Sequence, residues 1–105
     1  MNSNNFLWTN HARMKLAYYR LTESRIKRIV RHPVRVEEGI LEGAVAAMSP
    51  ATGKRYSEIW CMYVLIRGKD QSTGVKIITA WRYPGKAPER NPVPLEILHE
   101  IKNLF

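Results

Sequence analysis

The stretch Glu58-Ile59-Trp60-Cys61-Met62-Tyr63-Val64-Leu65-Ile66 decides the fold class. After the acid, every residue is apolar or aromatic, so both faces of an extended chain are apolar here. The run is rich in β-branched and aromatic residues and is bounded by polar loops. It therefore reads as a central strand covered on both sides. Downstream, Gly68-Lys69-Asp70-Gln71-Ser72-Thr73-Gly74 is a polar hairpin loop, and Val75 to Tyr83 is a last strand ended by Pro84-Gly85. Upstream, Ser49-Pro50-Ala51-Thr52-Gly53-Lys54 is a loop by composition, preceded by the short apolar run Ala44 to Met48. Before that, Val34, Val36 and Ile40 alternate with Arg35 and Glu37 at period two, and Gly39 and Gly43 interrupt the pattern. Three to four strands in an antiparallel meander are expected.

Helical signals lie outside this block. Thr9 or Asn10 can cap a first helix running to about Arg20, with Met14, Ala17, Tyr18 and Leu21 as its buried stripe and His11 on the same face. Thr22 caps a second helix, Leu21 can staple against Ile26, and Ile26, Ile29 and Val30 face inward. Pro33 stops that helix and pushes His32 out of helical geometry. Residues 84–94 carry Pro84, Pro88, Pro92 and Pro94 and read as an extended wrap. Pro94 opens a C-terminal helix over residues 95–104, with Leu95, Ile97, Leu98, Ile101 and Leu104 at helical spacing. Helices segregated from an antiparallel sheet make an α+β domain, and 105 residues suit one such domain over residues 1–105.

The charge is concentrated. The chain carries a net +8. Residues 1–35 hold Arg13, Lys15, Arg20, Arg25, Lys27, Arg28, Arg31 and Arg35 against Glu23, a local +7. Clustered Lys and Arg of one sign are the footprint of phosphate contact, so RNA or another polyanion is the expected partner, held by Arg25, Lys27, Arg28, Arg31 and Arg35. The plainer reading is a solvated helix face whose long side chains cover apolar surface. The polar N-terminus, Met1 to Asn5, lacks the build of a signal peptide, and no apolar run is long enough to span a membrane. With Cys61 as the single cysteine, a reducing, cytoplasmic setting is expected.

His11, His32 and His99 are far apart, and Glu37 and Glu38 face opposite ways on a strand, so no metal site is expected. The glycine patterns of nucleotide-cofactor sites are absent, so no cofactor is expected either. Cys61, mid-strand among apolar neighbours, reads as an inert core thiol. What remains is a metal-free set of His, Arg and Tyr. Such groups suit RNA cleavage, in which the 2′-hydroxyl attacks its own phosphate. The protein must then take one proton, give another and stabilise charge on the phosphorane. His11 and Tyr83 are candidates for the protons; Arg13, Arg20 and Arg82 are candidates for the phosphate. Each has a structural alternative. His11 reads first as a satisfied core histidine and then as a catalytic group, and Arg13 and Arg20 read as partners of acids on the sheet. Trp60 and Trp81 read as core aromatics or as stacking surfaces for bases. Strand alternation puts Arg82 and Tyr83 on opposite faces.

The block Thr9-Asn10-His11-Ala12-Arg13-Met14, followed by Tyr19-Arg20-Leu21-Thr22, resembles the opening of a family of uncharacterised domains allied to the RelE/ParE/BrnT-type toxin fold. Lys76-Ile77-Ile78-Thr79-Ala80 resembles that family's closing strand. The resemblance covers roughly residues 9–83 by order of elements, and Trp81 to Gly85 and the proline-rich tail extend past it. It implies a compact sheet with N-terminal helices packed on it, and an active surface involving His11, Arg13, Arg20 and Thr79. It also implies a metal-independent endoribonuclease of toxin type, with an antitoxin protein as a possible partner. Two other functions compete with it. One is a non-catalytic nucleic-acid- or ribosome-binding module. The other is a protein-interaction module docking through residues 84–105. Convergence of His11, Arg13 and Arg82 within about 8 Å on an open surface favours catalysis, whereas a buried His11 favours binding.

Overall fold

The computed structural model describes residues 5–70, 73–89 and 92–104. Met1 to Asn4, Gln71, Ser72, Arg90, Asn91, Phe105 and the side chains of Asn103 and Leu104 lie outside the described residues. The elements in chain order are β1 (Phe6–Trp8), α1 (Asn10–Tyr19), α2 (Glu23–Arg31), β2 (Arg35–Glu38), β3 (Ala44–Ala51), β4 (Ser57–Arg67), β5 (Thr73–Pro84) and α3 (Leu95–Leu104).

The apolar 58–66 stretch lies in β4, the middle strand of a five-stranded sheet ordered β1-β5-β4-β3-β2. Both its faces are covered. Ile59 and Cys61 join Ala47, Val75, Ile77 and Ala80 under Leu16, Ile26 and Ile29 of α1 and α2. Trp60 and Met62 join Met48 and Trp81 under Ala87, Val93, Ile97 and Ile101 of the proline-rich segment and α3. The sheet is mixed, which corrects the expected antiparallel three to four strands: β1 pairs with β5 in parallel. Three residues show no periodicity, and the partner of Phe6 is Val75, so local sequence carries no sign of this strand.

An irregularity in the β4–β5 ladder sets which β5 side chains face which layer. Met62 opposes Thr79, but Tyr63 opposes Ile77, so Ile78 is the extra residue of a bulge. Val75 and Ile77 point to the α1–α2 layer, and beyond the bulge Ala80 takes over that face. Trp81 and Tyr83 turn to the α3 layer. Trp60 and Trp81 oppose each other and stack with ring centroids 5.9 Å apart, both fully buried. They are core aromatics and offer no surface to a base.

Pairing with β1 ends at Ile77, and α1 covers the edge of β5 beyond it. The Thr9 N–H donates to Ile77 O (3.2 Å), and the Thr9 hydroxyl lies 2.9 Å from Ile78 O. At the other end of the helix, Arg82 Nη2 donates to Tyr19 O at 3.4 Å. A helix laid along a strand edge removes a template for unwanted pairing. Thr9 is also the N-cap, accepting the Ala12 N–H at 2.9 Å. The buried face of α1 differs from the expected stripe. His11, Ala12, Lys15 and Leu16 point inward, whereas Met14 and Tyr18 are 62% and 73% exposed. Two polar residues can face inward because Glu100 of α3 meets both.

The Ser49-Pro50-Ala51 segment, expected as loop, continues β3. Pairing with β2 stops at Met48, so Pro50 sits where one side of β3 has no strand neighbour and its missing N–H costs nothing. The proline-rich segment is fastened by two charged residues. Glu58 is fully buried and accepts from Tyr56 Oη (2.7 Å), Trp60 Nε1 (3.0 Å) and the Ala87 N–H (2.9 Å). These bonds, with the Arg35 charge nearby, outweigh burial and hold its carboxyl below the ordinary value of 4.5. Arg35 donates to Ala87 O and Pro88 O, both at 2.7 Å, and to Glu37 at 2.9 Å, with its guanidinium over the Trp60 ring.

Candidate nucleic-acid interface

The sequence of α2 forces a basic outer face. Thr22 caps the helix by accepting the Arg25 N–H at 3.1 Å. Ile26 and Ile29 bury against the sheet. Helical geometry then turns Ser24, Arg28 and Arg31 to solvent, with Arg25 and Lys27 on the flanks. The helix ends where expected: His32 takes a non-helical conformation before Pro33.

This face borders two grooves. The first, about 550 Å³, runs between the start of α2 and the end of β3, lined by Thr22, Ser24, Arg25, Arg28, Ser49 and Thr52, together with Ile29 and Pro50. The second, about 340 Å³, is lined by Ser24, Lys27, Arg28, Arg31 and His32. Ser24 and Arg28 line both, so the grooves are neighbours on this face. No carboxylate lines either one among the described residues. The acid in the first turn of α2, Glu23, is engaged by Arg13 at 3.2 Å. Lys27 and Arg31 lie over the Phe6 ring of β1, each 5.6 Å from its centroid. Arg25 and Arg28 have no ion pair among the described residues. No protein-family model, curated protein or solved structure matches this chain.

Arg35, expected on this face, belongs elsewhere. Its guanidinium is committed to the Ala87 and Pro88 carbonyls on the other side of the sheet. Ser49 and Thr52 are groove residues that the sequence reading did not select, although the hydroxyls of the 49–54 segment stand in plain view.

The proposed catalytic residues are dispersed. His11 is buried with Nε2 3.2 Å from Glu100 Oε2, and Lys15 Nζ lies 2.7 Å from Glu100 Oε1. Burial, reinforced by the Lys15 charge, holds the His11 imidazole below its ordinary value despite the carboxylate beside it. His11 is therefore neutral at pH 7. Thr79 is fully buried opposite Met62. Arg13 pairs with Glu23 on the surface, and Arg20 is exposed in a left-handed conformation (φ 58°) at the end of α1. Arg82 reaches the Tyr19 carbonyl, while Tyr83 packs in the α3 layer, so alternation separates them as expected. None of His11, Arg13, Arg20, Thr79, Arg82 or Tyr83 lines the α2 grooves. Nothing in the sequence around Glu100 marks it as the partner of His11 and Lys15.

Two further chemistries can be placed. Among the described residues no group of three or more His, Cys, Asp or Glu is arranged to hold a metal ion. Cys61 is fully buried, and burial pushes its thiol up to about 12, far from the thiolate a nucleophile needs. No described helix is long and apolar enough to cross a membrane.

Proposed function

We propose that the chain binds nucleic acid, with the α2 face and its two grooves holding the phosphate backbone. One observation carries this reading. Arg25, Lys27, Arg28 and Arg31 belong to a single helix and line two neighbouring grooves that no carboxylate lines among the described residues. Phosphate contacts by clustered cations supply most of the affinity of such surfaces. RNA is the first ligand to test, because the resemblance of the 9–83 region is to a fold with RNA-cleaving members.

Cleavage of the bound RNA is a second reading, favoured by a histidine placed beside a carboxylate: His11 Nε2 lies 3.2 Å from Glu100 Oε2, with no hydrogen bond between them. That pair is enclosed between α1 and α3, away from the α2 grooves, so binding without cleavage is the better supported of the two. Labelled RNA incubated with the protein in EDTA and run on native and denaturing gels separates them. The expected result is a retarded band on the native gel and full-length RNA on the denaturing gel. Cleavage by the wild type that disappears in a folded His11→Gln variant would establish the second reading in place of the first.

A further inference from the structure

The first groove contains more than charge. Its two walls carry hydroxyls: Thr22 and Ser24 from the start of α2, Ser49 and Thr52 from the end of β3 and the turn after it. The Thr22 oxygen accepts the Arg25 N–H but keeps its own proton to donate. Arg25 and Arg28 stand among these hydroxyls, and no aromatic side chain lines the groove. A site of this composition has donors for phosphate oxygens and paired donors and acceptors for a sugar hydroxyl. It has no aromatic ring on which to stack a base. Its volume of about 550 Å³ falls in the range of small-molecule sites and accommodates one sugar–phosphate unit.

We infer that this groove reads the RNA backbone, with Arg25 and Arg28 on the phosphate and the Ser49 and Thr52 hydroxyls on the ribose 2′-hydroxyl. The chain therefore prefers RNA to DNA of the same sequence. The 2′-hydroxyl is both donor and acceptor, and it is the group by which a protein distinguishes the two nucleic acids at a given position. A serine or threonine hydroxyl has the same dual character, so either can donate while the other accepts. Recognition confined to backbone is indifferent to sequence, because base edges supply sequence information. This inference rests on the α2 reading of nucleic-acid binding and adds to it the class of nucleic acid.

The test uses the intact protein and three labelled single strands of one sequence: RNA, DNA and 2′-O-methyl RNA. Anisotropy titrations compare the wild type with a Ser49→Ala/Thr52→Val double variant. Thr52 is exposed and Ser49 is half-buried, both substitutions are close in size, and circular dichroism verifies that the variant retains the fold. One or two added hydrogen bonds predict RNA binding about five- to tenfold tighter than DNA, with the methylated strand behaving as DNA. In the double variant the ratio of RNA to DNA affinity shrinks to about twofold or less. Equal wild-type affinity for RNA and DNA overturns the inference and leaves the binding reading standing, as does a preference that survives in the double variant. Failure to bind any of the three strands overturns the binding reading and the inference with it.

Discussion

Glu58→Ala is expected to lower stability by about 3 kcal/mol: three hydrogen bonds to one charged acceptor at about 1.5 kcal/mol each, less the desolvation cost that removing a buried carboxylate recovers. For a domain near one hundred residues this corresponds to a fall in melting temperature of about 15 °C. The carboxylate is fully buried and accepts from Tyr56, Trp60 and the Ala87 backbone, so its removal leaves the Trp60 and Ala87 N–H groups buried without it. The Ala87 bond also ties the proline-rich segment to β4. That segment and α3 form the cover over Trp60 and Trp81, so loosening it exposes the larger aromatic half of the core. Acid should act on the same contact. The folded carboxyl sits below its ordinary value of 4.5, so its contribution is fully present above about pH 4.5 and is lost as pH falls through the folded value. Glu58→Gln keeps the side-chain shape but removes the charge. Its loss should be smaller than that of Glu58→Ala, and it should flatten the acid limb. Urea midpoints between pH 7 and pH 3 check both statements. A Glu58→Ala variant as stable as the wild type contradicts the role assigned to this contact.

The second large effect is on binding. Arg25→Ala/Arg28→Ala removes the two guanidiniums of the first groove, neither of which has an ion pair among the described residues to disturb. A hydrogen bond to a charged group is worth about 1.5 kcal/mol, so two such losses weaken RNA binding about 10²-fold. Thermal unfolding of the same variant should match the wild type, since Arg28 is exposed and the helix is anchored by Ile26 and Ile29. Arg35→Ala gives the opposite pattern. It should destabilise the protein by freeing the Ala87 and Pro88 carbonyls, with little effect on RNA affinity at the α2 face. A double α2 variant that binds RNA as tightly as the wild type removes the basis for placing the interface there.

The parts of the fold that can be read in the sequence are those set by local chemistry. The apolar run of β4, the Thr22 cap, the Pro33 stop and the helix after Pro94 each carry their own signal within a few residues. The basic face of α2 is legible for the same reason: once Ile26 and Ile29 are assigned inward, the cations have one place to go. The parts that cannot be read depend on distant partners. β1 exists because β5 offers it an edge, and the α1 face turns because Glu100 reaches His11 and Lys15 from the far end of the chain. Periodicity places Met14 and Tyr18 inward, yet the ion-pair cluster takes that position and leaves both on the surface. Arg35 shows the same limit at the level of function. By sequence it continues the basic run, but alternation along β2 turns it through to the proline-rich segment, where two carbonyls engage it. Regular spacing brings His11, Arg13 and Arg20 onto one short helix. The site depends on which of its faces is buried, and that is decided by α3.

The central claim is that four cations of α2 hold a phosphate backbone, and the salt dependence of wild-type RNA binding tests it most directly. For a single strand, four phosphate contacts predict a slope of about −3 in log affinity against log salt, a loss of about 50-fold between 50 and 200 mM KCl. A slope near zero, with RNA bound equally well at both salt concentrations, would contradict it.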